Sequence, residues 1–238
     1  MPNLEIFDAG LHVWQNAQQP MADELRWKNN FPQLGQTLVM HTSSVPLVPM
    51  ELFEFFRRFK PAIDELLILQ AFILHDHGEP LSGGDEDAYS KTVDKDKKEW
   101  EAFKAMLDQS PECVRAPWLR AFTLPYAIKE DAYDLPPYAW HLVNEHRGHN
   151  MNSALFFDFC ERIDYLRSAR VGYLKRIRNP HEGIMEHTFG NQAPKLDALC
   201  KRLPVLRHYW TDELRASLAE LAEFDAEGLY TPGKQPTL

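Results

Sequence analysis

His75 and Asp76 are the residues of this chain whose types and placing best suit chemistry. They close an apolar run, Leu66 to Leu74, and Glu79 follows three residues after Asp76. Burial explains the apolar run; it does not call for an imidazole beside a carboxylate at its end. Together these two ligands suit a divalent ion of the Mn, Fe, Co, Ni or Zn type. A helix that merely ends in polar residues gives the same local string, so the pair must be weighed with others. His41 lies upstream, after Gln36-Thr37-Leu38-Val39-Met40. Asp164 lies downstream, flanked by Ile163 and Leu166 and in line with Phe157 and Cys160 by helical spacing. A carboxylate on or beside an apolar helical face is costly without a partner. A metal ion is one such partner and an Arg is the other.

The elements that must position these residues read as helices. Met50 to Phe59 carries apolar residues at helical spacing, in a helix starting near Pro46 or Pro49 with Ser43 or Ser44 as N-cap. Pro61 fits the first turn of the next helix, Ala62 to His75, and the short link makes the two an antiparallel hairpin. Residues 80–94 read as loop and 95–108 as helix. Pro111, Pro117, Pro125, Pro136 and Pro137 limit 111–137 to short helices. A helix is expected over 138–147, and a long one from Asn150 or Asn152 to about Ile177. Two more are expected at 193–203 and 211–225, the last capped by Thr211. Residues 4–18 form a weakly periodic first helix, and Pro232 to Leu238 a loose tail. No run alternates long enough for a strand, so the fold class is all-α.

The 238 residues can bury a sizeable core as one domain, and fourteen Phe and six Trp make that core aromatic. The net charge of −9 argues against a nucleic-acid polymer or an anionic membrane as partner, because both need clustered Lys and Arg. A small phosphorylated substrate remains compatible, since one Arg and a metal ion can meet a phosphate locally. Cys113, Cys160 and Cys200 are odd in number and far apart, which reads as a reducing compartment; the cytoplasm is expected. No apolar run reaches membrane-spanning length.

His41, then His75-Asp76 after a helical hairpin, then Asp164 on an apolar helix is an order that resembles the HD-domain metal-dependent phosphohydrolases. It is most similar to their 5'-deoxynucleotidase branch. Arg26-Trp27 stands fifteen residues before His41, as an Arg-Trp pair does in that branch. His75-Asp76-His77-Gly78-Glu79 is followed by Ser82-Gly83-Gly84-Asp85, resembling the branch's His-Asp-x-x-Glu and Thr-Gly-Asp. Lys95-Asp96-Lys97-Lys98-Glu99-Trp100-Glu101-Ala102 looks like its Glu-rich helix. The chain departs from the pattern at Met40 and Thr42, where Glu and Ser are usual. It departs again at Pro46 and Pro49 in a helix that is usually unbroken, and at the extra glycine before Asp85.

The resemblance implies an HD-type helical bundle over 1–238, with its core at about 20–178, an insertion at about 111–150 and a C-terminal extension at 179–238. It implies one divalent transition metal held by His41, His75, Asp76 and Asp164. Mn or Co is favoured over Mg by the imidazoles, with Fe, Ni or Zn as alternatives. It implies Glu79 and Asp85 as catalytic carboxylates, Arg26 as the grip on phosphate, and Trp27 packing on the sugar or base. The implied reaction is hydrolysis of a deoxynucleoside 5'-monophosphate by a metal-activated water, in a homodimer. Two alternatives stay open, a deoxynucleoside triphosphate triphosphohydrolase and a di-iron HD-type oxygenase. A catalytically dead sensor is a third. The oxygenase would need further histidine ligands, and His77, His141, His146 and His149 are instead expected on the surface or in loops.

Overall fold

The computed structural model describes residues 15, 19–27, 30–82, 93–108, 110–129 and 135–228. Asp85, the expected helix over most of 4–18 and the tail from Pro232 lie outside them. The fold is all-α: among the described residues there is no strand, only the isolated bridges Leu25 to Thr37 and Arg178 to Gly183. The main helices are α1 (Leu38–Ser44), α2 (Leu47–Phe56), α3 (Glu65–Leu74), the one-turn α4 (Glu79–Ser82) and α5 (Val93–Leu107). They continue with α6 (Glu112–Thr123), α7 (Pro137–His149), α8 (Met151–Leu174), α9 (Ile184–Arg202) and α10 (Asp212–Ala226). No helix among the described residues is long and apolar enough to cross a membrane. The chain divides into two compact units, Met1–Asp158 and Phe159–Leu238, with the division inside α8.

In the first unit, local capping decides where the helices begin. Thr37 accepts the Met40 N–H at 3.3 Å and starts α1. Ser43 and Ser44, expected to cap the next helix, instead donate back to the carbonyls of Val39 (2.6 Å) and Met40 (2.8 Å) and finish α1. Asp64 accepts the Leu67 N–H at 3.0 Å and starts α3, so Pro61 lies in the lead-in and not in the first turn. The Asp64 N–H in turn donates to Ser153 Oγ on α8 at 2.8 Å. Phenylalanines fill the space between: Phe156 stacks on Phe53 at 5.5 Å, and Phe157 stacks on Phe72 at 4.2 Å. Each buried ring of this size contributes roughly 2–3 kcal/mol. Trp100 donates to Thr123 at 3.3 Å and Phe103 stacks on Phe122 at 4.1 Å, which seats α5 on α6.

In the second unit, α9 starts nine residues before the expected 193, and its start is made by a distant residue. Asp225 of α10 is fully buried and accepts the N–H groups of Met185 (2.7 Å) and Glu186 (3.3 Å). Arg178 donates to its carbonyl and, at 3.2 Å, to its carboxylate. A Cβ at residue 183 would land on that carboxylate, so only glycine fits there. Burial raises the Asp225 carboxyl above the usual range, against the pull of the two N–H groups. Its charge-linked stability is therefore full at acid pH and declines as pH rises through the folded-state value. Asp225→Ala orphans two helix N–H groups and should cost about 2–3 kcal/mol at neutral pH. Asp225→Asn retains an acceptor and should cost less than half of that. Urea midpoints of the three proteins check the order.

Candidate metal centre

Three of the expected ligands meet in the first unit. His41 faces inward from α1 with Leu38, both fully buried. His75 is the residue that ends α3, and Asp76 opens the turn that follows. His75 Nε2 lies 3.0 Å from Asp76 Oδ1, and His41 Nε2 lies 3.5 Å from Asp76 Oδ2. The two imidazoles meet edge to face with centroids 5.5 Å apart. One ligand atom from each of His41, His75 and Asp76 falls within 4.8 Å of the others, a group that could hold a metal ion.

The hydrogen bonding behind His75 sets its chemistry. Its Nδ1 lies 3.0 Å from the Phe72 carbonyl, an acceptor, so Nδ1 carries the proton. In the neutral ring Nε2 is then a lone pair facing a carboxylate oxygen at 3.0 Å. Two acceptors at that distance repel unless a proton or a cation lies at them. Phe72 and Phe157 close the far side, each edge to face with His75 at 5.9 and 5.6 Å, and keep the ring from turning away.

The other expected residues lie in different settings. Glu79 begins α4, is 8% exposed, and donates its N–H to the Asp76 carbonyl at 3.1 Å, so one turn joins the two carboxylates. Arg26 is 6% exposed; its N–H donates to the Gln36 carbonyl at 2.8 Å, beside the cap of the helix that carries His41. Trp27 adopts φ 63°, a left-handed conformation costly for an aromatic residue, and its indole donates to Gln36 Oε1 at 3.3 Å. Asp164 belongs to the second unit, lies on α8 and is 8% exposed; it is not among the three residues that come together.

Of the histidines expected on the surface or in loops, His146 is buried within a helix, and His77 lies in a turn but is buried there. His146 donates from Nε2 to the Arg120 carbonyl at 2.8 Å, and the Asn150 amide lies 3.3 Å from its Nδ1. Burial lowers its pKa, consistent with a neutral core ring. His141 and His149, on the same helix, are exposed as expected. His77 is 1% exposed and sits edge to face with Phe103 of α5 at 6.4 Å. Sequence gave no sign of this, because its packing partner is 26 residues away on another helix.

Burial pushes the His77 imidazole down to about 4, and the nearby His75 adds to that, while Asp76 opposes it. An unfolded histidine titrates near 6.5 and so takes up its proton first as pH falls. Stability is therefore complete above about pH 6.5 and is lost towards pH 4, by about 2–3 kcal/mol at pH 4.5. In metal-free protein, the stability difference between wild type and His77→Leu should change by that amount between pH 7 and pH 4.5. A difference independent of pH contradicts the assignment. No protein-family model, no curated protein and no solved structure matches this chain.

Proposed function

We propose that this protein is a metal-dependent phosphohydrolase acting on a nucleotide, with a deoxynucleoside 5'-monophosphate as the preferred class. The observation that carries the reading is the convergence of one ligand atom each from His41, His75 and Asp76 within 4.8 Å of one another. Two imidazoles and carboxylates fit a Mn, Co, Fe, Ni or Zn ion, and cysteine-rich closure of the structural zinc type is absent from the group. Asp164, in the second unit, is a fourth ligand only by what the resemblance implies. When bound, such an ion makes water a stronger acid and offsets the negative charge of a phosphate.

The chain's own residues supply the rest. His41, His75 and Asp76 hold the ion, with the Phe72 carbonyl keeping the His75 proton on Nδ1. Glu79, one turn beyond Asp76, accepts a proton from the attacking water or returns one to the leaving oxygen. Asp85 is proposed as the second carboxylate of that pair. Arg26 grips the phosphate with its forked donors, and Trp27 bounds the sugar. The di-iron reading is less well supported, because it needs more histidine ligands and His146 already has partners at both ring nitrogens.

Phosphate release tests the reading. Protein stripped of metal and reloaded with Mn or Co is given 2'-deoxy and ribonucleoside mono- and triphosphates. Inorganic phosphate from the deoxynucleoside monophosphates is expected. Tripolyphosphate from the triphosphates moves the substrate to that class, and no release from any member of the panel removes the reading.

A further inference from the structure

We propose that the cavity between α1 and the turn carrying His77 is a second ligand site, one that takes an uncharged nitrogen heterocycle of nucleoside size. The cavity measures about 380 Å³, within the range of small-molecule sites. It is lined by Val39, Thr42 and Ser43 of α1, by Pro46, by Ile73 of α3 and by His77. All six belong to the first unit.

His77 is the residue that points to a ligand. Its side chain lines the cavity and is 1% exposed. The Leu74 carbonyl lies near enough to favour a proton on the ring, yet neither ring nitrogen meets a partner at hydrogen-bonding geometry among the described residues. Buried polar atoms in that state are rare, because the water they gave up has not been replaced. Phe103 meets the imidazole edge to face at 6.4 Å and has no polar atom on its ring to offer. A molecule in the cavity supplies what the fold does not.

The other five residues set its chemistry. Val39, Pro46 and Ile73 are apolar, and no charged side chain is among the six. The hydroxyls of Thr42 and Ser43 donate to the carbonyls of Leu38 (3.1 Å) and Val39 (2.6 Å), so their remaining capacity is to accept. A neutral imidazole adds one donor and one acceptor. An ion would lose hydration here without meeting a counter-charge. A ring with apolar faces, and with an N–H beside an acceptor at its edge, matches both halves of the lining. Nucleobases have that pattern.

This site is distinct from the metal group. Val39, Thr42 and Ser43 share one face of α1 by helical spacing, whereas His41 lies on the buried face with Leu38. A deoxynucleoside is the uncharged product of the reaction proposed above. That choice of probe rests on the phosphohydrolase reading; the chemistry of the cavity does not.

The test is calorimetry on the full chain, first with chelator and then with Mn. The probes are thymidine, deoxyadenosine and thymidine methylated at its ring N–H. Thymidine and deoxyadenosine should bind equally well in both conditions. Methylation of thymidine, and His77→Leu, should each lower affinity by about tenfold or more through loss of a buried hydrogen bond. Thr42→Val removes an acceptor, and Ile73→Glu puts a charge on the apolar wall at a half-exposed position. Both should weaken binding by about fivefold or more, and they decide the question should His77→Leu fail to fold. Leu47→Glu, on an exposed residue outside the cavity, should leave affinity within about twofold. Affinity unchanged in the three cavity variants overturns the assignment, as does equal affinity for the methylated ring, an equal loss in Leu47→Glu, or binding that needs Mn. Wild-type protein that binds neither nucleoside removes this site and leaves the phosphohydrolase reading standing. Wild-type protein that binds them but releases phosphate from no nucleotide removes that reading and leaves this site.

Discussion

Asp76→Ala is expected to abolish metal uptake and to lower kcat/KM for phosphate release by at least about a thousandfold. Both carboxylate oxygens of Asp76 are committed, one to each imidazole, at 3.0 and 3.5 Å. Its loss removes the carboxylate from the three grouped ligands and leaves two imidazoles, which as neutral rings cannot by themselves offset a divalent charge. Loss of activity with retained helical content and cooperative unfolding separates a lost ligand from a lost fold. Phosphate release that survives in Asp76→Ala contradicts the site as drawn.

Gly78→Ala should destabilise the protein strongly for a single added methyl. The new Cβ would stand 2.5 Å from the Glu99 carbonyl oxygen and 2.9 Å from its carbon, both backbone atoms that no side-chain rotation can clear. Either α5 or the turn from His75 to Gly78 must shift. Overpacking of this kind costs about 2–4 kcal/mol. Because the shift falls between Asp76 and Glu79, metal affinity should also drop, by about tenfold or more. Gly190→Ala is the matched control: it lies within α9 with nothing within 4 Å of the added methyl. There the substitution should stabilise by about 0.5–1 kcal/mol through helix propensity. Denaturant midpoints of the two variants should move in opposite directions; a Gly78→Ala protein as stable as wild type would mean that α5 does not brace the turn.

The all-α class and most helices were legible because apolar spacing and caps are local signals. Thr211 shows it best: it accepts the Leu214 N–H at 3.2 Å and starts α10 where its sequence position indicates. Prolines misled. Pro117 and Pro194 sit inside α6 and α9, where each removes one backbone donor. Burial of Leu119, Ala121 and Phe122 on α6, and of Leu196 and Leu199 on α9, outweighs that cost. The start of α9 was hidden for another reason: its cap, Asp225, lies 40 residues downstream of Met185, and no local pattern carries such a partner. In the site, His75-Asp76 stood out as an anomaly at the end of an apolar run. His41 followed from the order of motifs, and the structure brings it to them. The burial of His77 was not legible, because it arises only when α5 is laid against the turn after α3.

Elemental analysis of protein purified without chelator, beside a His41→Ala, His75→Ala, Asp76→Ala triple variant, tests the central claim most directly. The expected result is close to one transition-metal ion per wild-type chain and essentially none in the triple variant. Wild-type chains that remain empty after incubation with Mn or Co, or a triple variant that retains its full complement of metal, would contradict it.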